Sequence, residues 1–136
     1  MYEGLYAMKY LFDTHLLIWY FDDFNKIPKK IREIIHNENN TKHISVFSIV
    51  EIVIKLSAKK LTLNISIDEL YKLIKNSGFI LIPIKQKHLT ANLDLPLIHG
   101  DPFDRLLIAT AISENMKFIT SDKENQQYDV EWVWDK

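Results

Sequence analysis

The chain has 136 residues, 47% hydrophobic and 26% charged, which excludes a disordered or low-complexity protein and fits one folded domain. Its 17 basic and 18 acidic residues leave a net charge of −1, so long-range attraction does not hold nucleic acid here; such binding must be local or carried by metal ions. With no cysteine, a disulfide framework and a thiolate metal site are both ruled out.

Met1 to Lys9 has neither the basic stretch nor the apolar core of an export signal. No apolar run approaches the roughly 18 residues of a membrane span, and a cytoplasmic protein is expected. Met8-Lys9-Tyr10-Leu11-Phe12 reads as a natural start. Residues 1–7 are therefore expected to be an N-terminal leader extension ahead of one domain over 8–136. Intact mass of protein made from the native gene tests this, and full-length product alone would sink it.

Lys9 to Phe12 is predicted as a strand, followed by a helix through Asp22. Pro28 suits the first turn of a second helix, to about His36. A strand is expected over His43 to Val46, then helices over Ser48 to Leu56 and Ser66 to Lys75, the latter opened by a Ser66/Glu69 capping box. Phe79 to Ile84 reads as a strand, Gln86 to Leu93 and Asp101 to Glu114 as helices, and Lys117 to Thr120 and Val130 to Val133 as the last strands. Strands alternating with helices mean right-handed crossovers and an α/β fold: a three-layer α/β/α sandwich on a central, mostly parallel five-stranded sheet. Ligands of such sheets bind beyond the carboxyl ends of the strands, where strand order reverses.

Acidic residues cluster at those ends. Asp13 follows the first strand, in Leu11-Phe12-Asp13-Thr14-His15, and alone reads equally well as a helix N-cap. Ser48 and Glu51 match a capping box. Yet Val50, Ile52, Val53 and Ile54 leave Glu51 little polar surroundings, and a buried carboxylate needs a cationic partner. Asp101-Pro102-Phe103-Asp104-Arg105 reads as a helix start, with Asp101 the cap rather than a ligand and Asp104 in the first turn. Asp122 follows the fourth strand and alone is a turn residue. Each position has a harmless explanation; the set does not. Two carboxylates about 5 Å apart repel by about 3 kcal/mol at an effective dielectric near 20. Four together call for a divalent cation, and oxygen ligands favour Mg²⁺ or Mn²⁺ over zinc.

Taken in order, Leu11-Phe12-Asp13-Thr14-His15, Ser48 to Ile52, His99-Gly100-Asp101-Pro102-Phe103-Asp104-Arg105 and Thr120-Ser121-Asp122 resemble the PIN domain, and within it the VapC-like toxins of type II toxin–antitoxin pairs. The resemblance covers Met8 to Trp134, and Asp-Pro-Phe-Asp-Arg is its most specific piece. It implies a metal-dependent endoribonuclease with Mg²⁺, or Mn²⁺ as substitute, and a homodimer bound by a cognate antitoxin that blocks the acidic pocket. Carried over by position, the acidic quartet is Asp13, Glu51, Asp104 and Asp122, with Thr14 and Thr120 as pocket hydroxyls. Gly100 stands where relatives often carry a basic residue, and Val50 where they often carry an aromatic one.

The chemistry expected is hydrolysis of RNA phosphodiesters at a two-metal-type site. Arg105 is expected to touch phosphate or to bridge the pocket rim as a salt bridge. His15 and His99 flank acids, but no H-x-x-x-H or H-E-x-x-H spacing occurs; His15 is expected to bond backbone at its helix start. Phosphoryl transfer to aspartate needs a second acid two residues after Asp13, where His15 stands. The alternative of a different class is a non-catalytic RNA- or protein-binding regulatory module of the same fold. Trp19, Tyr20, Phe21 and Phe24 exceed one buried stripe; they are expected to fill the core, and some of them to line a groove for an antitoxin helix.

Overall fold

The structure is a computed structural model that describes residues 8–135; the leader expected over 1–7 lies outside the described residues. Strand β1 (Lys9–Phe12) is buried from Tyr10 onward. Tyr10 and Phe12 enter one apolar cluster and Leu11 another on the opposite face, as the two-residue period of a strand requires. Covered on both faces, β1 is the central strand. Helix α1 (Thr14–Asp22) follows it, and α2 (Lys29–His36) begins directly after Pro28.

Beyond these come β2 (Thr41–Ser45), α3 (Val46–Ser57), α4 (Ile67–Asn76) and β3 (Ile80–Ile82). The chain continues through α5 (Gln86–Leu93), α6 (Pro102–Ser113), β4 (Lys117–Ile119) and β5 (Trp132–Val133). The five strands lie in the order β3-β2-β1-β4-β5, and every pairing is parallel. The α/β sandwich expected from the sequence is present, with the sheet parallel throughout. Helices α1, α2 and α4 pack on the Phe12 face through Leu17, Ile31 and Ile74. Helix α6 covers the Leu11 face through Leu107, Ile108 and Ala111.

Strand order runs outward from β1 through β2 to β3, then resumes on the other side with β4. The reversal falls between β1 and β4, whose register pairs Phe12 with Ile119. The Asp13 N–H extends that ladder to the Ile119 carbonyl at 3.1 Å. Residues that follow these two strands therefore flank the crevice that strand reversal opens.

Two boundaries differ from expectation in ways that matter to the site. β2 ends at Ser45 and α3 starts at once, capped by the Ser45 hydroxyl, which accepts from the Phe47 N–H at 3.0 Å. The capping box expected from Ser48 and Glu51 is not formed; Ser48 lies inside the helix and Glu51 in its second turn. β3 stops at Ile82 because Pro83 has no N–H to continue the ladder. The Ser66 cap of α4 is as expected, accepting from the Glu69 N–H at 3.1 Å.

Candidate active site

Asp13 leaves β1 in an extended conformation and caps α1, one oxygen accepting from the Leu16 N–H at 2.8 Å. It is only 4% exposed. Burial raises its pKa above the usual carboxylate value; bonds from Leu16 and Thr120 and the charge of His15 oppose the rise, and Asp122 adds to it. The next residue ties two helices together, because the Thr14 hydroxyl donates to Ser48 Oγ at 3.1 Å.

That bond fixes the first turns of α3 against α1 and sets the direction of Glu51. Glu51 is buried, with Oε2 held by the Lys55 ammonium at 2.6 Å. Its Oε1 is buried with no hydrogen-bond partner among the described residues. A carboxylate oxygen so placed costs free energy unless something else satisfies it.

Helix α6 supplies Asp104. Asp101 is the cap, accepting from the Phe103 and Asp104 N–H groups at 2.9 and 3.0 Å, and Pro102 occupies the first helical position. The Asp104 carboxylate itself makes no hydrogen bond among the described residues. Its pKa is raised to about 7, first by burial and then by the charges of Asp101, Asp13, Glu51 and Asp122. Asp104 thus lies within electrostatic reach of the other three expected acids.

Asp122 hangs from the loop after β4, where Oδ1 accepts from the Glu124 and Asn125 N–H groups at 2.8 and 3.3 Å. The buried Thr120 hydroxyl accepts from the Asp122 N–H at 3.2 Å and the Asn125 amide at 3.3 Å. Asn125 in turn accepts from His99 Nε2 at 2.6 Å, while His99 Nδ1 accepts from the Asp101 N–H at 3.2 Å. Facing an N–H, Nδ1 is unprotonated, so Nε2 carries the proton. This chain of bonds joins the Asp122 loop to the start of α6. Asn125 carries no sequence signal for the part it plays.

Two expectations are corrected. Arg105 forms no rim salt bridge among the described residues. Its guanidinium donates to the carbonyls of Pro96 at 2.8 Å and Leu95 at 3.4 Å and to the Tyr128 hydroxyl at 3.1 Å, which pins the loop entering α6. His15 is exposed beside Trp19, their rings 6.1 Å apart, and makes no backbone bond among the described residues. The α1 aromatics divide: Tyr20 and Phe21 pack on Phe79, whereas Trp19 lines a cleft of about 440 Å³. Glu51 and Thr14 open onto the same cleft, with Lys26, Lys55 and Lys60 along it.

Among the described residues no three Asp, Glu or His side chains stand close enough to grip one ion as they are oriented. Asp13 is turned to Leu16, Glu51 to Lys55 and Asp122 to its own loop. The donor chemistry nevertheless fits a hard divalent cation: an all-oxygen acidic set, one buried oxygen lacking a partner, and one carboxyl whose ionisation the others oppose.

The sequence matches the PIN domain over residues 10–131. The chain belongs to the PIN-domain family. Solved structures share the fold at low sequence identity. A chain of VapBC2 from Rickettsia felis, bound to a DNA fragment from its promoter, is 21% identical with a TM-score of 0.69, covering 94% of this chain and 100% of that one. DNA-bound VapBC from Salmonella typhimurium is 17% identical with a TM-score of 0.65, covering 93% and 97%. A toxin–antitoxin complex from Klebsiella pneumoniae is 20% identical with a TM-score of 0.60, covering 91% and 95%. No curated protein sequence matches significantly. In this PIN domain, Gly100 is exposed with open space where a Cβ would stand, so packing does not require the missing side chain.

Proposed function

We propose that this PIN domain is a Mg²⁺- or Mn²⁺-dependent endoribonuclease and the toxin of a type II toxin–antitoxin pair, acting in the cytoplasm. One observation carries the catalytic part: Glu51 Oε1, buried and without a partner among the described residues, lies in a corner where burial and then four neighbouring acids raise the Asp104 pKa to about 7. Negative charge crowded into a partly buried corner is a standing demand for a cation. The toxin assignment and the antitoxin are supported by the fold shared with VapBC chains; the homodimer rests on the sequence resemblance to VapC-like toxins.

Asp13, Glu51 and Asp104 would hold one ion and Asp122 a second. Bound there, such ions would supply an acidified water and neutralise charge on the phosphate and leaving oxygen. The chain's own contribution is placement. Asp13 and Asp122 are anchored through one oxygen each by backbone N–H groups. Thr14 steadies α3 behind Glu51, and Thr120 steadies both Asp13 and the Asp122 loop. Lys60 on the cleft wall, which forms no ion pair among the described residues, offers an RNA strand one local positive charge.

Purified protein incubated with labelled single-stranded RNA and Mn²⁺ tests the proposal. Cleavage should occur, stop with EDTA, and be lost in Asp13→Ala and Asp104→Ala variants whose circular dichroism is unchanged. Full cleavage by either variant overturns the residue assignments. Metal-dependent binding without any cleavage would instead establish a non-catalytic RNA-binding module.

A further inference from the structure

Lys55 stands four residues after Glu51 on α3, a spacing that puts both side chains on one helix face. Its ammonium contacts Glu51 Oε2 at 2.6 Å. The two partners differ in freedom. The Glu51 side chain is 5% exposed and the Lys55 side chain 41% exposed, so the acid is fixed while the ammonium can swing into water on its flexible stem. The same ammonium also feels the charges of Asp101 and Asp104 on α6. Its charge is therefore felt at the start of α6 as well as at Glu51. The other two lysines on the cleft wall do not share this place: Lys26 pairs with Asp23 at 3.6 Å, and Lys60 forms no ion pair among the described residues.

We propose that Lys55 is a resident counter-cation of the acidic corner: it holds the buried Glu51 carboxylate in the metal-free chain and is displaced by an entering divalent ion, so that it sets how tightly the ion is held. The inference rests on the metal-dependent reading of the same corner. An unpaired buried carboxylate is strongly destabilising, which gives the ion pair its purpose before metal arrives. Once a divalent ion engages Glu51, an ammonium nearby repels it. Metal binding must therefore work against Lys55. The affinity is lower than the acids alone would provide, and the empty corner is more stable than they alone would allow.

Mn²⁺ titrations followed by electron paramagnetic resonance of the free ion, with thermal melts in EDTA, test this on wild type, Lys55→Met and Lys55→Arg. Lys55→Met should bind Mn²⁺ about tenfold more tightly, or about 1.4 kcal/mol, and should melt lower in EDTA. Lys55→Arg keeps the charge and should match wild type in both. If Lys55→Met does not fold without metal, Lys55→Gln, which can still donate to Glu51, takes its place with the same direction of change. Unchanged or weaker Mn²⁺ binding in the neutral variants overturns the inference, as does tighter binding in Lys55→Arg. Wild type that binds no Mn²⁺ overturns the nuclease reading itself, whereas wild type that binds it with Lys55→Met unmoved overturns only the role of Lys55.

Discussion

Replacing Asp104 with asparagine should make the metal-free protein more stable, although it removes a proposed catalytic group. The side chain keeps its shape, so packing at the start of α6 is unaltered, and what changes is charge. The Asp104 pKa is raised from 3.8 to about 7 in the folded chain. Below the unfolded value both states hold the proton and the group contributes nothing. Between the two values the unfolded chain loses its proton while the folded chain keeps it, so stability falls as pH rises. Above about 7 the whole penalty is present. Three units correspond to about 4 kcal/mol at 1.36 kcal/mol each. Asp104 is partly open to solvent, which screens the repulsion, and about 1–2 kcal/mol is the expected gain. Urea unfolding in EDTA, on wild type and Asp104→Asn across about pH 4 to pH 8.5, measures it. The difference should be near zero at the acid end, widen through the interval and level off at the alkaline end. A difference independent of pH, or a variant less stable at the alkaline end, would refute the raised Asp104 pKa that burial and then the neighbouring acids produce. Adding Mn²⁺ should reverse the order, because the ion stabilises the state that binds it and a neutral amide is a poorer ligand than a carboxylate.

Three further outcomes are expected. Glu114, after α6, accepts from the fully buried His88 at 2.6 Å and is flanked by Lys87 and Lys85 at 3.2 and 3.3 Å. Burial works to raise its pKa, yet bonds from His88, Lys87 and Lys85 outweigh burial and hold it at about 2. The stability this gives is full above the unfolded value of 4.5 and lost as pH falls through about 2; Glu114→Gln should therefore cost about 1–3 kcal/mol at neutral pH and progressively less in acid, by chemical denaturation, with cleavage per folded molecule unchanged. His99→Leu strands the Asp101 N–H and the Asn125 carbonyl, which should cost about 1–2 kcal/mol in denaturant melts and weaken Mn²⁺ binding by loosening the loops of Asp104 and Asp122. Gly100→Arg should leave the melting temperature unchanged and tighten single-stranded RNA binding in a salt-dependent way, measured by fluorescence anisotropy with Ca²⁺ in place of the catalytic ion; no gain would mean that RNA does not pass the start of α6.

The architecture was legible because its signals are local. Apolar strands such as Tyr10 to Phe12 and the Asp101-Pro102 helix start declare themselves within a few residues, and their alternation points to a doubly wound parallel sheet, one of whose common strand orders places Asp13 beside the β4 end. What escaped depends on distant partners. Ser45 and Ser48 are equally good caps by type, and pairing of Ser45 with Ile82 across the sheet decides which one ends a strand. Arg105 is claimed by carbonyls of Leu95 and Pro96 and by Tyr128, a loop conformation that no spacing announces. The link from His99 to Asn125 spans 26 positions and carries no motif. Lys55 was readable, since the four-residue step from Glu51 is visible in the sequence, yet the apolar setting of Glu51 pointed to an outside cation and not to one four residues away.

The insertion of β4 against β1 also has a temporal consequence. Tyr10 meets Lys117 only after everything between them has been synthesised, and loop closure over such a span is slow. Until then β1 has a bare edge and Asp13 lacks the Asp122 loop as a neighbour. A growing chain on the ribosome therefore lacks the full set of acids, and the corner is completed only once β4 and the loop after it arrive. If the proposed nuclease activity holds, that delay would keep the chain from attacking its own template while it is being made.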